Sequence, residues 1–290
     1  MIGKPALPLA DSRHQSRAQI AVISLALALT IFLLGTSLWP VAYRGALQIS
    51  RWRLEQQLSS WPSLTSDHYI IKYRPQDEAI APLVLTAAEK AYHLLTREAN
   101  YTPPGQILVV IYPSSAELNA VFGWSAQESA LGVYWGGAIQ VLSPSAWIEA
   151  RDSWQLGQIF WATGLMVHEL SHLILDYKTA GNYPRWFSEG LAQYREQQHC
   201  QAAQSAYHDL DPALLYTLPQ LEQFNQLDNE QLAYRQSLSL VEYLVAAGGP
   251  NAISTIVDSL AGGATFSQAL QKIGISSPAA LEQKWLAWLK

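Results

Sequence analysis

The chain has 290 residues, 49% of them apolar and 11 of them tryptophan, and this composition excludes an intrinsically disordered protein. Its net charge of −5 comes from mixed signs without a basic stripe, which argues against a nucleic-acid-binding protein. The single cysteine, Cys200, excludes an internal disulfide and a cysteine-rich zinc knuckle.

An apolar run near the N-terminus predicts a membrane helix. From Ile20 to Leu38 no residue is charged, and the run is close to the roughly 20 residues that a helix needs to cross a bilayer. Trp39 and Tyr43 suit an interfacial anchor. We predict an uncleaved signal anchor over 20–42 rather than a cleaved signal, whose apolar stretch is usually shorter. A buried core helix fits poorly, because no polar face interrupts the run.

The rest of the predicted organisation follows from this anchor. Lysines and arginines are balanced on its two sides, so the positive-inside rule does not decide the orientation. Since a single N-terminal anchor most often exports the domain that follows, we expect a single-pass membrane protein with an extracytoplasmic catalytic part. The predicted regions are a polar tail (1–19), the membrane anchor (20–42), a charged amphipathic connector (43–60) and one folded domain (61–290).

Strands and helices alternate in the first half of the folded domain. Alternating or short apolar runs predict strands, helical apolar spacing predicts helices, and a Trp-Gly-Gly break predicts a hairpin. The predicted strands are 68–73, 106–112, 131–134 and 138–142, and the predicted helices are 79–99 and about 114–122.

The second half of the domain has helical patterns. One helical segment lies within about 153–176, another begins at Pro184, and several short helices follow over 213–290. We therefore predict an α+β fold: a small mixed N-terminal sheet with helices, followed by a mostly helical C-terminal part.

The most informative motif is His168-Glu169-Leu170-Ser171-His172. Histidines at i and i+4 lie on one face of a helix, where both imidazoles can hold one Zn²⁺. The intervening Glu169 can act as general base toward the attacking water. The motif thus predicts a metal site together with its catalytic base.

A catalytic zinc site usually has a third protein ligand. The best candidate is Glu189, because Pro184 suits the first position of a helix and Gly190 allows two helices to approach closely. Glu196 is the nearest competitor, and it lacks an adjacent glycine. An ordinary surface carboxylate remains the alternative interpretation of Glu189.

These residues carry a resemblance. The HELSH motif followed by Trp186-Phe187-Ser188-Glu189-Gly190-Leu191-Ala192 resembles the gluzincin metallopeptidases, in detail the peptidase-MA-like family, over about 66–290. The resemblance implies a zincin-like fold, zinc binding by His168, His172 and Glu189, and Glu169 as general base. It also brings Tyr234 to the cleft as the expected oxyanion donor. One departure is Gln193, which stands where some gluzincins have an aspartate that orients a zinc histidine.

Two supporting features have more than one interpretation. Asp176 is a candidate to accept the second N–H of a zinc histidine, or else a solvated residue near a helix end. The strand over 131–134 either hydrogen-bonds an extended peptide or forms an ordinary hairpin. The four histidines without ligand spacing are expected to be ordinary surface or core residues, namely His68, His93, His199 and His208.

We therefore predict a membrane-anchored zinc metallopeptidase that hydrolyses peptide bonds in peptide or protein substrates with a metal-activated water. The alternative is a catalytically inactive zinc-binding module that acts as a membrane-anchored scaffold. Glu169 favours catalysis, because metal binding alone does not require it. An intramembrane protease is rejected, because the sequence has only one other apolar span.

Overall fold

The computed structural model describes residues 38–125, 130–200 and 210–289. Most of the predicted membrane anchor, residues 20–37, lies outside this described part. Among the described residues no single helix has the length and hydropathy of a membrane span, although Glu230–Gly248 and Ala252–Ala261, bent by 103°, pass that test as a pair. The chain divides between Ala42 and Tyr43 into two compact units, and the sheet and the C-terminal helices belong to the second unit.

One five-stranded sheet organises the first half, with the strand order β1-β2-β3-β5-β4. Strands β2, β3 and β5 are parallel, and the edge strands β1 and β4 are antiparallel to their neighbours. The strands are β1 (Ser63–Thr65), β2 (Tyr69–Lys72), β3 (Ile107–Tyr112), β4 (Gly132–Trp135) and β5 (Ala138–Leu142). The four predicted strands are confirmed, while β1 was not predicted.

Helices cover both faces of this sheet, which is why β3 is buried along its whole length. Side chains alternate across a strand, so Val109 and Ile111 join the core on one face whereas Leu108 and Val110 join a smaller core on the other. The first four helices are α1 (38–57), α2 (Ala81–Ala99), α3 (Ser115–Phe122) and α4 (Ser153–Ala162). Short 3-10 turns lie at Pro75–Asp77, Pro144–Ala146 and Phe224–Gln226.

The predicted helical segment within 153–176 is two helices. Gly164 has φ 79°, a left-handed conformation that suits glycine, and it separates α4 from α5 (Leu165–Thr179). The next helix, α6 (Arg185–His199), begins where predicted, with Pro184 as its N-cap residue instead of its first helical residue. The pair α5–α6 carries the HELSH motif and Glu189.

The C-terminal helices form a second core with α6. Its largest fully buried side chains include Trp186, Trp285 and Phe224. The helices are α7 (Leu218–Leu221), α8 (Glu230–Gly248), α9 (Ala252–Ala261), α10 (Phe266–Lys272) and α11 (Pro278–Trp288). The predicted α+β class, a mixed sheet with helices followed by a mostly helical part, is confirmed.

Helix α1 packs against the sheet domain from Tyr43 onward. Leu47 lies in the core on the sheet face that carries Val109 and Ile111, and Leu58 lies in the smaller core on the opposite face. The Arg44 guanidinium donates to the carbonyl oxygens of Tyr177 at 2.8 Å and Lys178 at 3.2 Å. Cations favour the C-terminal end of a helix, so Arg44 stabilises the last turn of α5.

Candidate metal centre

Helix α5 places the two motif histidines one turn apart on the face that meets α6. The ring centroids of His168 and His172 are 4.7 Å apart, with an angle of 76° between the rings. Glu169, between them, is only 4% exposed. The helical spacing therefore produces the paired arrangement of imidazoles that the motif predicted.

Glu189 reaches both imidazoles from α6. Its Oε2 atom lies 3.5 Å from Nε2 of His172 and 3.7 Å from Nε2 of His168. One ligand atom from each of the three residues lies within 4.8 Å of the others. Ligands at the usual zinc distances in a tetrahedral site are about 3.3 Å apart, so these side chains fit a zinc ion with small adjustment.

The second nitrogen of each histidine is already bonded. Nδ1 of His168 is hydrogen-bonded to Oε1 of Glu196, and Nδ1 of His172 to Oγ of Ser188 at 2.7 Å. Such partners fix the ring orientation of metal-binding histidines. Both Nε2 atoms are consequently left to face Glu189.

These partners differ from the sequence prediction. Glu196, considered as a competing ligand, lies on the far side of the His168 ring and orients it. It follows Glu189 by seven residues, about two helical turns, and therefore lies on the same face of α6. That periodicity was the signal that could have identified it. The suggestion that Asp176 accepts a hydrogen bond from a zinc histidine is wrong, because this carboxylate binds tyrosines instead. Gln193 donates to the carbonyl oxygens of Glu189 and Tyr234.

Burial and opposite charge set the protonation of this cluster. Burial raises the pKa of the Glu169 carboxyl above its usual range, although both imidazoles oppose the shift. For Glu189 burial acts in the same direction, but the charge of His172 and hydrogen bonds from both histidines outweigh it and hold the pKa low. Burial lowers the pKa of the His168 imidazole, but the Glu196 charge and hydrogen bonds to Glu189 and Glu196 outweigh it and raise this pKa well above its usual range.

The edge strand β4 runs directly over Glu169. The backbone N–H of Tyr134 donates to the Glu169 carboxylate. A Cβ on Gly132 would lie 2.8 Å from Oε1 of Glu169 and 2.8 Å from Cδ1 of Leu165. The strand can approach this close only because residue 132 has no side chain.

A buried carboxylate ties β4 to α1 and to the loop before α6. Asp176, 2% exposed, accepts hydrogen bonds from the hydroxyls of Tyr43 (2.7 Å), Tyr134 (2.7 Å) and Tyr183 (3.1 Å). Burial is the largest cause that raises the pKa of all three phenols, and the Asp176 charge adds to it. This network positions β4 above the histidine helix.

Helix α8 packs against the other side of α6. A Cβ on Gly190 would overlap the carbonyl oxygen of Ser237 and come within 2.6 Å of its carbon, so the two helices touch through backbone. Gly190 thus permits a close helix approach, as expected. Tyr234, on the first turns of α8, packs edge-on against Phe224, with ring centroids 5.1 Å apart. Burial and the nearby Glu189 charge raise its pKa, while its role toward an oxyanion stays a prediction.

The other histidines differ in their surroundings. His199 is bonded to Glu98 at 3.0 Å, and His208 lies outside the described residues. His68 and His93, which were expected to be ordinary surface or core residues, both lie beside Glu89. Sequence spacing did show Glu89 and His93 at i and i+4, a signal that the interpretation missed.

Residues 151–290 match a family model described as the Peptidase MA superfamily. The match supports a peptidase-MA-like family for this part of the chain. The match spans α4 to α11 and includes His168, His172 and Glu189. A search of curated proteins found no matching relative. The match confirms the predicted resemblance and supports a metallopeptidase-like fold, peptidase-like activity, and peptide or protein substrates. The superfamily is typically zinc-dependent.

Proposed function

We propose that the protein is a zinc peptidase of the gluzincin type. The observation that carries this proposal is the convergence of two imidazole Nε2 atoms on the Glu189 carboxylate, with Glu169 buried beside them. Three nitrogen and oxygen donors are the usual protein ligands of a catalytic zinc. The superfamily match over the same helices supports the assignment.

Each residue has a distinct role in this proposal. His168, His172 and Glu189 hold the ion, and Glu196 and Ser188 orient the two imidazoles. Zinc bound there would act as a Lewis acid on the scissile carbonyl and lower the pKa of a water molecule. Glu169 takes the proton from the attacking water and delivers it to the leaving amine. The backbone N–H of Tyr134 fixes the Glu169 carboxylate for this transfer.

The outer edge of β4 is the proposed binding surface for a peptide substrate. Leu142 donates its N–H to the carbonyl of Leu131, so the antiparallel register directs the backbone groups of Gly132 and Tyr134 away from β5. Because the N–H of Tyr134 is bonded to Glu169, a peptide would bond the backbone groups of Gly132 and the carbonyl of Tyr134. An extended peptide can add to such an edge through main-chain hydrogen bonds. Tyr234, on the α8 side, is the proposed donor to the developing oxyanion.

Glu169→Gln tests the catalytic proposal. The variant keeps the ligands, so zinc content should match the wild type, whereas peptide hydrolysis should fall by about 100-fold or more. Glu78→Gln, at an exposed carboxylate, is the matched control and should retain full activity. Equal turnover in Glu169→Gln and the wild type would refute catalysis by Glu169. Zinc binding without hydrolysis in the wild type would favour the scaffold alternative.

We further propose that residues 20–42 anchor the protein in a membrane by one span, after a polar tail at 1–19, with the peptidase domain outside the cytoplasm. The uncharged run from Ile20 to Leu38 supports this. The full chain should resist carbonate extraction from membranes, and protease added outside should degrade its domain. Leu27→Lys with Leu29→Lys should release it, since each buried lysine costs about 3 kcal/mol, whereas Leu9→Lys in the tail should not. Release of the wild-type chain by carbonate would refute the anchor.

A further inference from the structure

A second group of side chains that could hold a metal ion lies outside the peptidase match. His68, Glu89 and His93 each offer one ligand atom, and these atoms lie within 4.8 Å of one another. Glu89 Oε2 is 2.7 Å from Nδ1 of His68 and 3.8 Å from Nε2 of His93. The cluster joins helix α2 to the residue that precedes strand β2, so it involves none of the residues of the candidate metal centre.

The backbone and rings hold His68 in place. Its carbonyl accepts the N–H of Ile107 at 2.8 Å, where β2 and β3 begin to pair. Its ring stacks on Tyr92, with centroids 3.9 Å apart and 23° between the planes. His93 is one helical turn from Glu89 and its side chain is 66% exposed, so its imidazole can turn toward the other two residues.

A hydrogen bond from Ser66 orients the carboxylate of Glu89. Oγ of Ser66 donates to Oε1 of Glu89 at 2.5 Å, which directs Oε2 toward the two histidines. A hydrogen bond of this kind supports carboxylate ligands in metal sites. The distance of 2.7 Å between Glu89 and His68 is that of a hydrogen bond, and a cation would replace its proton and open the distance to about 3.3 Å. The His93 side chain is exposed and those of His68 and Glu89 are about a quarter exposed, so water can reach the cluster.

We propose that His68, Glu89 and His93 form a second binding site for a divalent first-row transition cation, of which Zn²⁺ is the test case. Two imidazoles and one carboxylate suit zinc, nickel or copper, whereas magnesium and calcium prefer oxygen ligands alone. The bound ion links α2 to the start of β2. It therefore stabilises the folded chain, because the unfolded chain does not hold the three ligands together.

Zinc stoichiometry tests this proposal on the full chain, purified in detergent without a histidine tag. In equilibrium dialysis the wild type should bind one zinc more than His93→Ala. The combined variant His168→Ala/His172→Ala removes the other centre and should still bind one zinc, which His93→Ala then abolishes. His199→Ala is the matched control, because His199 also bonds a glutamate but belongs to no three-ligand group among the described residues.

Thermal unfolding supplies an independent readout. In the His168→Ala/His172→Ala background, zinc should raise the unfolding temperature, and both His93→Ala and Glu89→Gln should remove this increase. His93 is exposed, so its replacement should leave the fold and the metal-free unfolding temperature unchanged. Equal zinc binding and an equal thermal response with and without His93 would overturn the site. That result would not affect the proposed peptidase function, because this function depends on other residues.

Discussion

The hydroxyl of Tyr134 donates a hydrogen bond of 2.7 Å to Oδ2 of Asp176. The backbone N–H of the same tyrosine donates to the Glu169 carboxylate, so β4 is tied to α5 at two places. Asp176 also binds tyrosines from α1 and from the loop before α6. Three segments that are distant in sequence are thus joined at one buried carboxylate.

Asp176→Asn should destabilise the protein by about 2 kcal/mol. The substitution removes the negative charge that accepts three phenol hydroxyls, and an amide nitrogen then faces a donor. The urea midpoint measures the loss. Tyr134→Phe should cost less, since it removes one of the three hydrogen bonds, and Asp228→Asn at an exposed position should change nothing. A midpoint for Asp176→Asn equal to that of Asp228→Asn would contradict the structural role of this network.

Gly132→Ala should impair catalysis more than folding. The added methyl group meets the Glu169 carboxylate and Leu165, so the strand or the base must move. A displacement of about 1 Å at the reacting groups can reduce the rate about 100-fold. Peptide hydrolysis should fall to this extent at normal zinc content, whereas Gly45→Ala, whose Cβ meets nothing within 4 Å, should be fully active. Full activity of Gly132→Ala would show that the close approach of β4 is not needed.

Gly190→Ala should be strongly destabilising. Its methyl group would overlap the backbone carbonyl of Ser237, and a backbone cannot move aside as a side chain does. We expect a loss of about 3 kcal/mol in unfolding free energy. Gly157→Ala in α4 is the matched control, with its Cβ at an ordinary 3.4 Å from Leu83. Calorimetry that finds the two variants equally stable would exclude direct backbone contact between α6 and α8.

Glu196→Gln should weaken zinc binding at the candidate metal centre by about 10- to 100-fold. The glutamine lacks the charge that favours the His168 N–H donor and raises the basicity of its other nitrogen. Competition with a chromophoric chelator measures the affinity, with Glu78→Gln as control. Glu196→Asp should restore the zinc affinity only if its shorter side chain still brings the carboxylate to His168. An affinity equal to that of the control would show that Glu196 does not support the metal.

The part of the site that sequence alone predicted is local in the chain. His168, Glu169 and His172 share one short helical motif, and Glu189 belongs to the next helix. The motif, the local signals of Pro184 and Gly190 and the family resemblance were therefore enough to propose them. The partners of Asp176 come from residues as distant as Tyr43, and no local pattern predicts such contacts. The same reason explains why the second cluster was missed, because His68 reaches Glu89 only through the pairing of β2 with β3 and the packing of α2.

Some elements of the fold escaped prediction for other physical reasons. Gly164 splits one apolar stretch into two helices, and apolar periodicity does not reveal a break that depends on a left-handed backbone. Strand β1 is three residues long, too short for an alternating pattern to be recognised. Residues 43–60 were interpreted as a connector, yet Leu47 and Leu58 are buried, because the apolar face of α1 meets the sheet domain.

Both histidines of the candidate metal centre, their hydrogen-bonding partners and Glu189 lie between residues 168 and 196. The entropy cost of closing a loop grows with its length, so this short stretch costs little to close. Helices α5 and α6 are neighbours in the chain and need no distant strand to bring their ligands together. A nascent chain therefore exposes a full set of ligands before α8 to α11 have been synthesised, and we expect metal capture to be an early event in its biogenesis.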